Sequence, residues 1–455
     1  MTGRDRFGRP EIVRPGLERI RAAFEMSGHP ERSFLTFHIA GTNGKGSTAA
    51  FLEAIMRRLV SEPVGLYTSP HLVSPEERIR VAGAKIPIED LRRALRRAAR
   101  FSREMGPDNG NRLSYFEEMT WAACDWFRKK SARLVVMEAG LGGRWDATSA
   151  CNPAVSIVTT VGKDHQEWLG DSLREIASEK AEIFRRGVPA ILGRLRGITR
   201  SVATTRAKER GSPIWELGRD FSWEVSRGGR IRMNLPGVSV PATRLGMAGE
   251  FQRDNAAIAC AAAWRWASEM GKAPGDFSRA ASEGMAVARW PGRFTMLPGK
   301  RNAGAWADGA HNPEAARALG IELERLKKGK RTTRIVALWS MLRDKDISGF
   351  IRELSDVVDG WVIFPMEHER AATSESLSAA CRRRGVAHRM SADFAAGWET
   401  ARRWAGHPTN RTDRGAAGPP TNRIDRGAGP GGIVIVCGSL AAVGEAYRHR
   451  VGEIT

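Results

Sequence analysis

Cysteine is scarce in this 455-residue chain, and its five copies, Cys124, Cys151, Cys260, Cys381 and Cys437, lie far apart. No CxxC pair or Cys/His cluster stands at zinc spacing, so neither a zinc module nor a disulfide framework is indicated, and a reducing, cytosolic compartment is the simplest expectation. Long apolar runs are missing too. Nothing approaches the roughly 20 residues of a membrane span, and residues 1–10 lack the apolar core of a signal peptide, which predicts a cytoplasmic protein with no membrane partner. Acidic residues are outnumbered, 51 Asp and Glu against 72 Lys and Arg, for a net charge of +21. Such an excess favours anionic partners: nucleotides, polycarboxylates or nucleic acid. Against nucleic acid stands the arginine-rich helical run 90–100, where Leu91, Ala94, Leu95 and Ala98 form the inward stripe and no aromatic residue interleaves for base stacking.

What is present describes a globular α/β protein. Hydrophobic residues make up 42% and charged residues 27%, and the length allows two or three domains at roughly 150 residues each. Residues 34–39 read as a strand, followed by the turn Gly41-Thr42-Asn43-Gly44-Lys45-Gly46 and a helix through about Val60. The same grammar repeats with a helix at 121–130, a buried strand at 134–137 and the turn Gly140-Leu141-Gly142-Gly143. A third strand at 155–159 precedes Gly162-Lys163-Asp164-His165. Alternating strands and helices imply a mainly parallel sheet of P-loop type with helices on both faces and ligands at the carboxyl ends of the strands. Residues 212–240 alternate polar and apolar and read as a small antiparallel insert before a helix at 255–270. Past Pro298, strands at 305–307, 335–338, 361–364 and 433–436 suggest a smaller Rossmann-like α/β domain, so the predicted domains are 1–297 and 298–455. The run 408–416 recurs almost unchanged at 420–428 and marks 405–431 as a disordered surface loop.

The first turn carries the strongest chemical signal. Gly41, Gly44 and Gly46 allow backbone N–H groups to surround an anion at a helix N-terminus, Lys45 offers a point charge for phosphate oxygens, and Ser47 and Thr48 offer hydroxyls to phosphate or Mg²⁺. The pattern departs from GxxxxGK[ST] because Gly46 intervenes before Ser47. Glu138 closes an apolar strand, where a carboxylate needs a cation or a donor, and Mg²⁺ takes only one or two protein carboxylates. Ser69 and His165 occupy loops near such ends, His165 being as readily a capped loop histidine as a ligand. Residues 172–186 read as a helix opened by a Ser172-x-x-Glu175 capping box, with Leu173, Ile176, Ala177, Ile183 and Phe184 as its inward stripe, and Lys180 falls on that stripe. On pattern alone it snorkels or pairs with a carboxylate; if buried instead, its pKa drops and its neutral amine can take up carbon dioxide as a carbamate.

These runs together resemble the folylpolyglutamate synthase and dihydrofolate synthase family of Mur-type ATP-dependent amide ligases. The likeness rests on 38–48, Thr68-Ser69-Pro70-His71-Leu72, 138–148, Asp164-His165 and Ile176-Ala177-Ser178-Glu179-Lys180-Ala181. It continues through Asn255-Ala256-Ala257, Pro291-Gly292-Arg293, 308–313, Asp344-Lys345-Asp346 and Gly438-Ser439-Leu440. It implies that Gly44, Lys45, Gly46 and Ser47 hold ATP phosphates, that Ser69, Glu138 and His165 surround two Mg²⁺ ions, and that Lys180 is carboxylated. It further assigns Asn255, Arg293 and Asp308 to ATP, and His311 and Ser439 to the incoming L-glutamate. Ser114, Tyr115, Phe116 and Glu117, with Trp145, Asp146 and Ala147, fall to the pterin of dihydropteroate or a reduced folate. The implied protein is a monomer. One departure is Glu250-Phe251-Gln252, where the family usually has His-Gln, so a polar contact at Phe251 is expected to be missing. Competing readings are a cell-wall Mur ligase, disfavoured by Ser69-Pro70-His71-Leu72 and 138–148, and a nucleic-acid-stimulated ATP-binding module.

Overall fold

The computed structural model describes residues 3–4, 10–11, 16–106, 112–298, 304–328, 334–407 and 431–449; the duplicated segment 408–428 lies outside the described residues. The chain divides into two compact units, Met1–Trp290 and Pro291–Thr455.

The first unit is organised by an eight-stranded sheet. Its strands run in the order Ile214–Glu216, Ala190–Leu192, Pro153–Val158, Leu35–Ala40, Leu134–Glu138, Val64–Tyr67, Ile79–Val81 and Ala84–Lys85. The first six are parallel, Ile79–Val81 runs antiparallel to them, and Ala84–Lys85 reverses again beside it. Leu134–Glu138 is buried along its whole length, which is why it reads as a continuous apolar run rather than an alternating one. Alternation appears instead in what the side chains meet. Phe37, Ile39 and Val136 enter a core shared with the helices Lys45–Leu59, Phe251–Glu269 and Pro274–Val287. Val135 and Met137 enter a second core with Glu18–Met26, Ile88–Glu104 and Tyr115–Lys129. Because Pro153–Val158, Leu35–Ala40 and Leu134–Glu138 are direct neighbours in parallel, the three polar loops that follow them emerge side by side.

Element boundaries differ from the sequence reading: the helix expected at 255–270 spans Phe251–Glu269. The helix expected at 121–130 begins at Tyr115, because Ser114 and Glu117 build a capping box at its start. The helix carrying Lys180 ends at Ala181, so Ile183 and Phe184, although buried, belong to the turn after it. Ile214–Glu216 is a parallel edge strand of the large sheet, paired with Ala190–Leu192. Only Ser222–Val225, Ile231–Leu235 and Val238–Thr243 form the antiparallel insert.

The second unit holds a six-stranded sheet ordered Thr295–Met296, Ala305–Ala307, Ile433–Cys437, Ile335–Trp339, Gly360–Ile363 and His388–Met390, parallel except for the first strand. The last strand in sequence is therefore central in space and fully buried. Thr295–Met296 pairs with Ala305–Ala307, and Phe294 stacks on Trp306 with ring centroids 4.6 Å apart. These contacts draw the division back to Trp290/Pro291 from the expected 297/298.

The helix Lys45–Leu59 is clamped from behind. A Cβ added at Gly284 would lie 2.7 Å from the backbone N and Cα of Ile55, and a helix backbone cannot yield as a side chain tip can. Gly284→Leu should therefore destabilise the protein by about 2–3 kcal/mol, read as a lower midpoint in urea; an unchanged midpoint would contradict this packing.

Candidate active site

The turn after Leu35–Ala40 is shaped by two glycines that no other residue could replace. Gly41 (φ 155°) and Gly44 (φ 87°) take positive φ, and a Cβ at either would collide with Thr159 Oγ1 or, at 2.4 Å, with Asn255 Oδ1. The loop is pinned to the segment after Pro153–Val158: Thr42 Oγ1 donates to Gly162 O (3.1 Å), Thr160 Oγ1 accepts from Asn43 N (2.9 Å), and Thr159 Oγ1 donates to Asn43 O (2.7 Å). The helix starts at Lys45 with Gly44 as its N-cap and no side-chain cap, so an anion could take the place a capping oxygen would otherwise fill. Lys45 Nζ donates to Gly41 O (3.1 Å) and stands 4.0 Å from Glu138 Oε1. Buried Ser47 accepts from Gln252 Nε2 (3.3 Å), whose Oε1 accepts from Asn255 Nδ2 (3.0 Å). Gln252 thus carries the polar link from the helix Phe251–Glu269 to Ser47 behind the glycine loop, with Phe251 beside it. Among the described residues the buried Thr48 Oγ1 has no hydrogen-bond partner.

Glu138 is buried at the end of its strand, and its Oε2 accepts from Ser69 N at 3.1 Å. Among the described residues no group of three or more His, Cys, Asp or Glu could cage a metal, which does not suit zinc. A single buried carboxylate beside a phosphate loop does fit Mg²⁺, which completes its shell with phosphate oxygens and water. His165 takes a left-handed conformation (φ 52°) at the start of Gln166–Leu169, with its side chain one third exposed and 3.9 Å from Asp164 Oδ1.

Lys180 does not snorkel. It is buried, has no carboxylate within ion-pair distance among the described residues, and donates to Gly41 O at 3.0 Å. Burial first and the repulsion of Lys45 second bring its pKa down to about 7, against the opposing pull of Asp164 and Asp146. An amine with that pKa is largely unprotonated just above neutrality.

The residues assigned to the pterin separate into two kinds. Ser114 and Glu117 spend their side chains on the helix start: Ser114 Oγ accepts from Glu117 N (3.3 Å), Glu117 Oε2 accepts from Ser114 N (2.7 Å), and Glu117 pairs with Arg19 (3.1 Å). Phe116 lies against Gly140, whose added Cβ would come within 2.7 Å of the ring and 3.3 Å of Asp146 Oδ2. Tyr115 sits 5.6 Å beneath the Arg78 guanidinium, Trp145 is half-exposed, and Asp146 and Ala147 are buried.

In the second unit, Asp308 accepts from Phe294 N (2.7 Å) and Ala310 N (2.8 Å). Burial raises its pKa while Arg293 opposes the rise. His311 Nδ1 lies 2.8 Å from Gly309 O, and a Cβ on Gly309 would approach Arg293 Nη1 to 3.3 Å. Gly438 N donates to Ala310 O at 3.1 Å, which brings Ser439 beside this loop, where it caps Leu440–Arg448 by accepting from Ala442 N (2.9 Å). Sequence reasoning missed Gln252 and the threonine latch of Thr42, Thr159 and Thr160. Polar residues at strand ends are the signal that could have flagged the latch.

Comparison with known proteins adds to this geometry. Residues 39–263 match the Mur ligase middle domain and residues 292–410 the Mur ligase, glutamate ligase domain. The dihydrofolate synthase/folylpolyglutamate synthase of Escherichia coli (strain K12) is 35% identical over 369 residues, covering 80% of each chain. The structure of E. coli FolC in complex with DHPP and ADP superposes with a TM-score of 0.80 at 30% identity, covering 96% of this chain and 93% of that one. A bifunctional folylpolyglutamate synthase/dihydrofolate synthase with Mn, AMPPNP and L-glutamate bound gives a TM-score of 0.78 at 27% identity, covering 96% and 95%.

Lys180 also sets a pH dependence of stability. Its amine titrates at 10.5 in the unfolded reference and at about 7 in the fold. Between these values the unfolded chain binds the extra proton, so stability rises with pH across the window and the full burden is felt below pH 7. Lys180→Met should stabilise the protein at pH 6 by up to about 4 kcal/mol, with the gain shrinking toward pH 10. Denaturant titrations in bicarbonate-free buffer check this, and a gain independent of pH would refute it.

Proposed function

Since the chain belongs to the dihydrofolate synthase/folylpolyglutamate synthase family of Mur-type ligases, we propose that the loops converging on Gly41 carry that family's reaction, the ATP-dependent joining of L-glutamate to dihydropteroate, to a reduced folate, or to both. The observation that carries the reading is the convergence of Lys45, Glu138, Lys180 and the uncapped helix start on one loop. In the proposed sequence a carboxylate oxygen of the pteroate attacks the γ-phosphorus of ATP, forming an acyl phosphate and releasing ADP. The α-amine of glutamate then attacks the acyl carbon, phosphate leaves, and the amine proton passes to solvent or phosphate.

Residues of this chain supply position and charge. Lys45 and the amides at the head of Lys45–Leu59 offset charge on the transferring phosphoryl group. Ser47 and Asn255 hold the phosphate side of the nucleotide, Phe116, Tyr115 and Trp145 offer aromatic surface to a pterin, and Ala147 offers backbone. From the family likeness we assign Arg293 and Asp308 to ATP, and His311 and Ser439 to glutamate. Glu138, Ser69 and His165 would hold Mg²⁺, two ions in all, whose chemistry is to neutralise phosphate oxygens. The unprotonated Lys180 amine would take up carbon dioxide and release one proton to become a carbamate, turning a neutral buried amine into an anion that could offer oxygen to the metal. The protein would act as a cytoplasmic monomer.

Purified protein with ATP, Mg²⁺ and glutamate, offered dihydropteroate and tetrahydrofolate separately, should yield products heavier by one glutamate residue, seen by mass spectrometry. Lys45→Ala should lower that turnover at least 100-fold, and turnover at the parental rate would refute the assignment. In ¹³C-bicarbonate the protein should show a carbamate resonance that Lys180→Met lacks; the same spectrum from both proteins would rule the carbamate out.

A further inference from the structure

Asp146 has no lone pair to spare. Its Oδ1 accepts from Thr148 N at 3.0 Å and from Thr148 Oγ1, its Oδ2 accepts from Leu141 N at 2.8 Å, and the Gly140 backbone donates as well. Four donors face a carboxylate that is only 5% exposed, and among the described residues no acceptor does, so its hydrogen bonds favour the ionised form while burial, the larger influence, raises its pKa. A hydroxyl has one hydrogen, and Thr148 gives its hydrogen to Asp146. His38 Nε2, 2.8 Å from Thr148 Oγ1, must therefore be the donor in that contact, which makes His38 the Nε2–H imidazole. His38 sits in Leu35–Ala40, three residues before Gly41, on the face opposite Phe37 and Ile39, and is buried.

We propose that His38 and Thr148 are positioning residues for the folate: they lock Asp146 as the knot of the 140–148 loop, so that Asp146 acts through the backbone it gathers and not as a pterin ligand. The relay ties the phosphate-loop strand to the turn against which Phe116 packs, and so sets the pterin surface in register with the phosphate loop. Removing the Thr148 hydroxyl would leave a buried N–H and a buried carboxylate oxygen each one bond short. Burial brings His38 down to about 3, with Arg185 adding to the effect, so the imidazole stays neutral throughout the working range.

This inference rests on the folate reading of that loop, and the experiment separates the two. Thr148→Val and His38→Leu should raise KM for dihydropteroate at least tenfold while KM for ATP and kcat change less than threefold. Thr148→Ser and His38→Gln, which keep a hydroxyl and an N–H, should restore KM to within threefold of the parent. An unchanged dihydropteroate KM in Thr148→Val, or equal losses for dihydropteroate and ATP, overturns the relay. Imidazole ¹⁵N spectra test the relay whatever the protein turns over: His38 should be the neutral Nε2–H form at pH 5, and a cationic or Nδ1–H signal overturns it. Failure of the parent protein to ligate any pteroate overturns the folate reading alone.

Discussion

Two lysine side-chain nitrogens meet on a single carbonyl oxygen. Lys45 and Lys180 both donate to Gly41 O, at 3.1 and 3.0 Å, and the nearest carboxylate to Lys45, Glu138, is 4.0 Å away. A carbonyl cannot balance two positive charges, and the carboxylates that face them, Glu138 toward Lys45 and Asp164 and Asp146 toward Lys180, offset the charge only in part. The strain is relieved in part by Lys180 giving up its proton easily. A triphosphate would relieve the rest.

That concentration of charge is possible only because the sheet beneath it is parallel. In a parallel sheet the carboxyl ends of neighbouring strands share one edge, and here the three central strands place the glycine loop, a carboxylate and the threonine latch within reach of one another. The cores on both faces then make the platform stiff, and groups that must meet a transferring phosphoryl gain most from stiffness. Gly284, packed on the back of the phosphate-loop helix, is part of the same requirement.

A second theme is how many motif side chains are occupied with backbone. Ser114 and Glu117 cap a helix, Asp146 gathers a turn, Asp308 binds two amides and Ser439 caps another helix. What is left for a ligand in these segments is mostly aromatic surface and main chain. The side chains that residue patterns single out thus build the site as often as they line it.

The strand, glycine turn and helix around Lys45 were legible in the sequence because each depends on neighbours within a few residues: a β-prone run, turn-forming glycines, a helical stripe. The two α/β units were legible for the same reason, as was Glu138 closing an apolar strand. The edge strand Ile214–Glu216, the place of Thr295–Met296 in the second sheet and the fate of Lys180 were not. Pairing with another strand decides the first two, and the residues of a short segment alone do not say which strand it joins. For Lys180 the helical stripe was correct, but whether a lysine on such a stripe escapes to water depends on what covers it, and only the folded chain brought Gly41, Lys45 and Asp164 around its amine. Local chemistry wrote the parts, while burial, which is a property of the whole fold, set their charge.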